Sequence, residues 1–153
     1  MGRMYQAERP NTCIISNGFA SMGIAVPGAV AAKLAYPDRK VVAVTGDAWF
    51  MMNSQEIETA LRIGTPFVIL IWNDSEYGLI TWHQLRHFGR PSHIEFKNPD
   101  FVKYAESFGA KGYRIASADE PVGEALSPLL VGPTAIAFGN DEAGTAKAVL
   151  DAT

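Results

Sequence analysis

Two acidic turns, Gly46-Asp47-Ala48 and Asn73-Asp74-Ser75-Glu76, each close an apolar run of the chain. The first follows Val41–Val44 and the second follows Phe67–Trp72. Between them, Asn53–Ile63 places Ile57, Ala60, Leu61 and Ile63 close to helical spacing, with Gly64 just past the end. Strand, helix and strand over so short a span predict a right-handed parallel crossover. Sequential parallel strands are often neighbours, about 4.8 Å apart. Asp47 and Asp74 are then expected to face each other across the carboxyl edge of a sheet, where open α/β folds bind ligands. Two carboxylates brought together need a cation. Oxygen ligands, with small Gly46 and Ala48 letting the backbone approach a phosphate, point to magnesium holding a diphosphate.

Each of these residues also has a plainer reading. An aspartate at a strand end is often a turn former or a helix cap, and only the pairing of Asp47 with Asp74 lifts it above that. Asn53 with Glu56 three residues on is read as a capping pair. Met22, Met51 and Met52 are ordinary core-filling types. His83, His87 and His93 have no carboxylate or cysteine at ligand spacing, and two histidines four apart do not make a zinc site. The Gly18-to-Gly23 stretch lacks the Lys and Ser/Thr of a phosphate-binding P-loop.

The elements that must carry the two turns form an alternating series. Strands are expected at Thr12–Ser16, Val41–Thr45, Phe67–Trp72, Gly112–Ile115 and Thr134–Phe138. Helices are expected at Pro27–Ala35, from Ser54, over Ser75–Gln84, and at Pro99–Phe108, Asp119–Leu130 and Glu142–Ala152. His87–Phe96 reads as a loop. Near-continuous apolar strands predict a parallel sheet covered on both faces. At 153 residues, 48% hydrophobic and 19% charged, residues 1–153 are expected to form one globular domain. A net charge of −3 without a basic run argues against nucleic acid. The single cysteine, Cys13, excludes an internal disulfide. No run reaches the roughly 18 apolar residues of a membrane span, and no signal pattern opens the chain, so a cytoplasmic protein without a membrane partner is expected.

Several stretches together resemble one family, the catalytic subunits of acetolactate synthase, in their C-terminal thiamine-diphosphate-binding domain. The acidic turns match its diphosphate-and-magnesium motif. Arg3-Met4-Tyr5, Pro10-Asn11-Thr12, Ile15–Gly23 (ISNGFASMG), Tyr36–Lys40, Gly64-Thr65-Pro66, Phe88–Pro91 and Asn98–Ile115 extend the likeness over roughly residues 1–120. The resemblance implies an α/β fold, a three-layer sandwich with a mostly parallel, about six-stranded sheet. It implies thiamine diphosphate and Mg2+ as cofactors, with FAD only in a full-length enzyme.

By the resemblance, Asp47 and Asp74 are side-chain metal ligands and Glu76 supplies a main-chain carbonyl. Ala48 and Trp49 give backbone N–H groups to the diphosphate, with Gly46 and Gly78 also at cofactor-binding positions. Met22 holds the cofactor bent, and the Ala20 carbonyl accepts from its aminopyrimidine. The implied reaction is that of a transferase of branched-chain amino-acid biosynthesis, which decarboxylates pyruvate and joins the two-carbon unit to a second 2-oxo acid. In the family, a glutamate of the pyrimidine-binding domain activates the cofactor. That domain and the middle domain have no counterpart in these residues, so no catalytic residue is expected in this chain. The expected partner is a pyrimidine-binding domain of another chain or subunit, in a homo-oligomer.

Two other readings stay open: the β subunit of a two-chain thiamine-diphosphate-dependent 2-oxo-acid decarboxylase, and a non-catalytic or engineered fragment of the domain. Residues 121–153 match the family poorly, since Leu129–Leu150 lacks its acidic, proline-containing tail.

Overall fold

The computed structural model describes residues 5–115 and the backbone of residues 135–139. Four strands, β1 (Val42–Gly46), β2 (Val68–Trp72), β3 (Lys111–Ile115) and β4 (Ala135–Gly139), form one sheet in the order β1-β2-β4-β3. All three pairings are parallel. β1 and β2 are neighbours, with Gly46 level with Trp72. That register sets the residues following each strand side by side at the carboxyl edge.

Five helices accompany the strands: α1 (Ala25–Ala35), α2 (Asp47–Met52), α3 (Glu56–Arg62), α4 (Gly78–Phe88) and α5 (Phe101–Ser107). One apolar cluster joins α1, α2, α3 and α5 to the sheet through Val26, Val30, Phe50, Ile57, Ile69, Ile71 and Phe101. Phe50 is its hub from α2, with its ring edge-on to Phe101 at 5.5 Å and to Tyr104 at 6.0 Å. Successive strand residues face opposite ways. Val68 and Leu70, on the face opposite Ile69 and Ile71, are buried as well, so β2 is covered on both sides. This is the pattern of a parallel sheet in an α/β protein.

Several features differ from the sequence expectation. Residues 12–16 form no strand, and Ile14 (77% exposed) and Ile15 face solvent. A β-prone run becomes a strand only when a neighbour offers a ladder, and no described strand pairs with it. The expected turn at Gly46-Asp47-Ala48 passes directly into α2, and the helix expected from Ser54 begins at Glu56. Asn53 does not cap α3, whose N-cap is Gln55 without a side-chain bond. Instead Asn53 ends α2 and its Nδ2 donates to the Gly23 carbonyl at 3.1 Å. α4 also runs on to Phe88, into the expected loop, and stops where Gly89 takes a left-handed φ of 70°. The expected helices at 119–130 and 142–152 lie outside the described residues, as do Arg3 and Met4.

Candidate functional site

The carboxyl ends of β1 and β2 place Asp47 at the centre of a polar cluster. Asp47 is 2% exposed and is the only buried ionisable side chain among the described residues. It opens α2 but is not its cap, since Gly46 holds the cap position. Its Oδ1 accepts from the Ala48 N–H at 2.8 Å, and Oδ2 accepts from the Ser75 N–H at 2.7 Å and from Asn98 Nδ2 at 2.5 Å. The bond to Ser75 crosses from the end of β1 to the turn after β2. Thus the carboxylate ties the two strand ends together.

No cation balances it within the described chain. The ion pairs there are Arg62–Glu58 and Arg114–Asp100, and neither reaches Asp47 or Asp74. Burying an unpaired carboxylate is costly, and hydrogen bonds offset only part of that cost. Asp74, largely exposed, lies close enough to feel the Asp47 charge. Its carboxyl is held above the usual carboxylate range, first by partial burial, then by Asp47 and, less, by Glu76, against the backbone N–H groups of Glu76 and Asp74.

Glu76 pairs with Glu95 in an isolated antiparallel bridge. The flanking bonds, Tyr77 N–H to the Ile94 carbonyl and Phe96 N–H to the Ser75 carbonyl, put Glu76 at the non-hydrogen-bonded position. Its own N–H and C=O therefore point away from residue 95. The N–H turns toward Asp74 Oδ1 at 3.5 Å. Meanwhile the Glu76 carboxylate accepts from the Thr81 hydroxyl at 3.2 Å. Among the described residues no three His, Cys, Asp or Glu side chains gather as a metal cluster. Asp47 and Asp74 bring two carboxylates near one another at this edge, oxygen donors of the kind a hard divalent cation takes.

Gly78 opens α4 beside this group, where an added Cβ would lie 3.3 Å from Asp74 Oδ2. A Cβ on Gly46 would meet open space, so room remains beside the end of β1. The Ala48 N–H, expected to meet a phosphate, is engaged by Asp47 instead. Trp49 projects from α2 with 42% of its surface exposed.

Ala20 and Met22 stand apart from this cluster. Their loop is fixed by Asn53 at the far end of α2, and six helical residues span about 9 Å. Ala20 is exposed and holds a left-handed φ of 52°, a strained state for a residue with a Cβ. Met22 is half-buried. His83 and His87 sit exposed on α4 with their rings stacked 6.3 Å apart, in keeping with surface positions.

Sequence reasoning missed Asn98. Its amide nitrogen lies within bonding range of Asp47 Oδ2, of Asn73 Oδ1 at 2.7 Å and of Ser75 Oγ at 3.3 Å. The only local signal was that Asn98 precedes Pro99-Asp100 at a helix start. An open hollow of about 340 Å3 lies alongside, lined in part by Asn73, Ser75, Asn98, Lys97 and Arg114.

Comparison with known proteins finds related domains. Residues 1–138 match the family described as "Thiamine pyrophosphate enzyme, C-terminal TPP binding domain", past the expected limit near residue 120. The chain is 45% identical over 120 residues to the acetolactate synthase of Bacillus subtilis, covering 78% of this chain and 21% of that protein. It is 40% identical over 130 residues to the catabolic acetolactate synthase of Raoultella terrigena, covering 85% and 22%. A solved structure, the thiamine diphosphate-dependent 4-hydroxybenzoylformate decarboxylase of Rhodococcus jostii, superposes with a TM-score of 0.68 at 28% identity over 77% of this chain and 22% of that one. The chain thus spans about a fifth of the length of these relatives.

Proposed function

This chain belongs to the family of C-terminal, TPP-binding domains of thiamine pyrophosphate enzymes, and from that premise we propose that it holds the diphosphate and magnesium end of an acetolactate-synthase-like active site. One observation carries the reading: a buried carboxylate, Asp47, with no cationic side chain against it among the described residues, beside a second carboxylate, Asp74, whose ionised form it disfavours. A divalent cation between them turns that mutual repulsion into attraction.

In this proposal Asp47 and Asp74 bind Mg2+ through their side chains and Glu76 through its carbonyl. The Ala48 and Trp49 N–H groups face the diphosphate. For Ala48 this requires its present bond to Asp47 Oδ1 to yield when the cation takes that carboxylate. Gly46 and Gly78 keep the space beside the cation free of side chains. Ala20 and Met22, beyond the far end of α2, would hold the other end of the cofactor, the Ala20 carbonyl accepting from its aminopyrimidine and the Met22 thioether supporting a ring. Thiamine diphosphate supplies the electron sink that decarboxylation of a 2-oxo acid needs. The substrates proposed are pyruvate and a second 2-oxo acid, as in branched-chain amino-acid biosynthesis. FAD belongs only to a full-length enzyme.

The rest of the active site comes from a pyrimidine-binding domain of another chain or subunit, within a homo-oligomer in the cytoplasm. Among the described residues no helix is long and apolar enough to cross a membrane. The architecture proposed is a three-layer sandwich with a mostly parallel sheet of about six strands, and burial of β2 on both faces supports it.

Competition binding tests the assignment. Thiamine diphosphate should bind only with Mg2+ present, and Mg-diphosphate should displace it while thiamine does not, because this chain grips the diphosphate end. Displacement by thiamine, or binding indifferent to a chelator, would sink the proposal.

A further inference from the structure

We propose that Asn98 is a positioning residue for the cation, setting the carboxylate of Asp47 against the turn that carries Asp74. This rests on the cofactor reading above. Asn98 stands at the start of the segment leading into α5, 51 residues beyond Asp47. Its single amide nitrogen meets three oxygens: Asp47 Oδ2 at 2.5 Å, Asn73 Oδ1 at 2.7 Å and Ser75 Oγ at 3.3 Å. The orientation of the amide is fixed by chemistry. An ionised carboxylate only accepts, so the NH2 group and not the carbonyl must face Asp47.

These bonds are not needed to hold the chain in place. Residues 94–96 are already fastened to 75–77 by two backbone hydrogen bonds. α5 is started independently by Asp100, whose side chain accepts from the Val102 and Lys103 N–H groups. What only Asn98 adds is a link from Asp47 Oδ2 to the side chains of the turn after β2.

The lone pairs of Asp47 fit the same role. A carboxylate offers roughly four acceptor sites. Ser75 and Asn98 take two of them, both on Oδ2, and Ala48 a third on Oδ1. The two bonds to Oδ2 hold the carboxylate in rotation and leave Oδ1 for a metal once the Ala48 N–H turns to the diphosphate. Among the described residues the Asn98 carbonyl oxygen is buried without a hydrogen-bond partner, so the amide is held for what its nitrogen does.

The test uses the full chain and titration calorimetry with Mg2+ in the presence of thiamine diphosphate, with thermal unfolding recorded on the same samples. Asn98→Ala should weaken Mg2+ binding by about 10–100-fold, the usual effect of removing a group that orients a metal ligand. Asn98→Leu, of similar volume, should do the same, and it carries the test if the alanine variant folds poorly. Asp100→Ala should lower the unfolding temperature through loss of the α5 cap but leave Mg2+ affinity unchanged, which separates positioning from general support. Near-wild-type affinity in the Asn98 variants, or an equal loss in Asp100→Ala, overturns the inference while leaving the cofactor assignment standing. A wild-type chain that takes up no Mg2+ overturns both.

Discussion

Asp47 is the residue on which the site turns, and its environment predicts two separable effects of removing it. Asp47→Ala leaves the Ser75 N–H without its acceptor and takes one of three acceptors from the Asn98 amide, a loss of about 1–3 kcal/mol in folding stability. The same change should abolish Mg2+-dependent binding of thiamine diphosphate. Asp74 behaves differently because it is largely exposed and its charged form is disfavoured in the fold. A carboxyl with a raised folded-state pKa opposes folding above that pKa, and the penalty vanishes as pH falls below its ordinary value. Asp74→Asn should therefore stabilise the metal-free chain near neutral pH by about 0.3 kcal/mol, a small figure because solvent screens the pair. That gain should disappear in acid. Thermal unfolding across pH with a chelator present checks both signs. With Mg2+ the same variant should bind more weakly, though less so than Asp47→Ala, because an amide oxygen still coordinates. The nearness of Asp47 and Asp74 was legible in the sequence because each ends an apolar run, and the two runs pair as neighbouring parallel strands. Asn98 was not, because its role exists only once 51 residues of intervening chain have folded back.

At the scale of elements, the alternation of strands and helices was readable and its edges were not. β1, β2, β3 and β4 stand within a residue or so of the expected spans; β1, β2 and β4 are nearly unbroken apolar runs, whereas β3, with the sequence KGYRI, follows the Gly109 that ends the preceding helix segment. α2 escaped notice for a physical reason: six residues are too few to display a helical period, and Trp49, Phe50, Met51 and Met52 are apolar on every side. Residues 12–16 have strand propensity but no described partner. The junction between α2 and the Ala20–Met22 loop carries a prediction of its own. Gly23 holds a φ of 85°, and a Cβ there would fall 2.6 Å from the Asn53 amide that binds its carbonyl. Gly23→Ala should cost about 1–3 kcal/mol through backbone strain and the displaced Asn53. It should also disturb the loop that carries Met22. An alanine variant as stable as wild type would show that the anchor is dispensable.

At the scale of the whole molecule, α4 is the element without a home. It buries no residue, and Leu79, Ile80, Trp82, Leu85 and Phe88 are all exposed. With Trp49, Met51 and Met52 exposed on α2, the chain presents more apolar surface than a solitary domain usually tolerates. Light scattering of the purified chain should show a dimer or larger species, and a clean monomer at high concentration would count against that expectation. On the proposed reading this chain holds one half of an active site, and no turnover is expected. With pyruvate, thiamine diphosphate and Mg2+ the chain alone should form no acetolactate above a cofactor-only control, because general acid–base help and exclusion of water come from a partner domain.

The central claim is that a cation held by Asp47 joins this chain to a diphosphate. Titration calorimetry with thiamine diphosphate tests it most directly, comparing wild type with Asp47→Ala, each with Mg2+ and with a chelator. The predicted result is saturable binding by wild type with Mg2+, lost on chelation and lost in the variant while its circular dichroism stays native. Equal binding by wild type and the Asp47→Ala variant, or binding by wild type that survives the chelator, would contradict it.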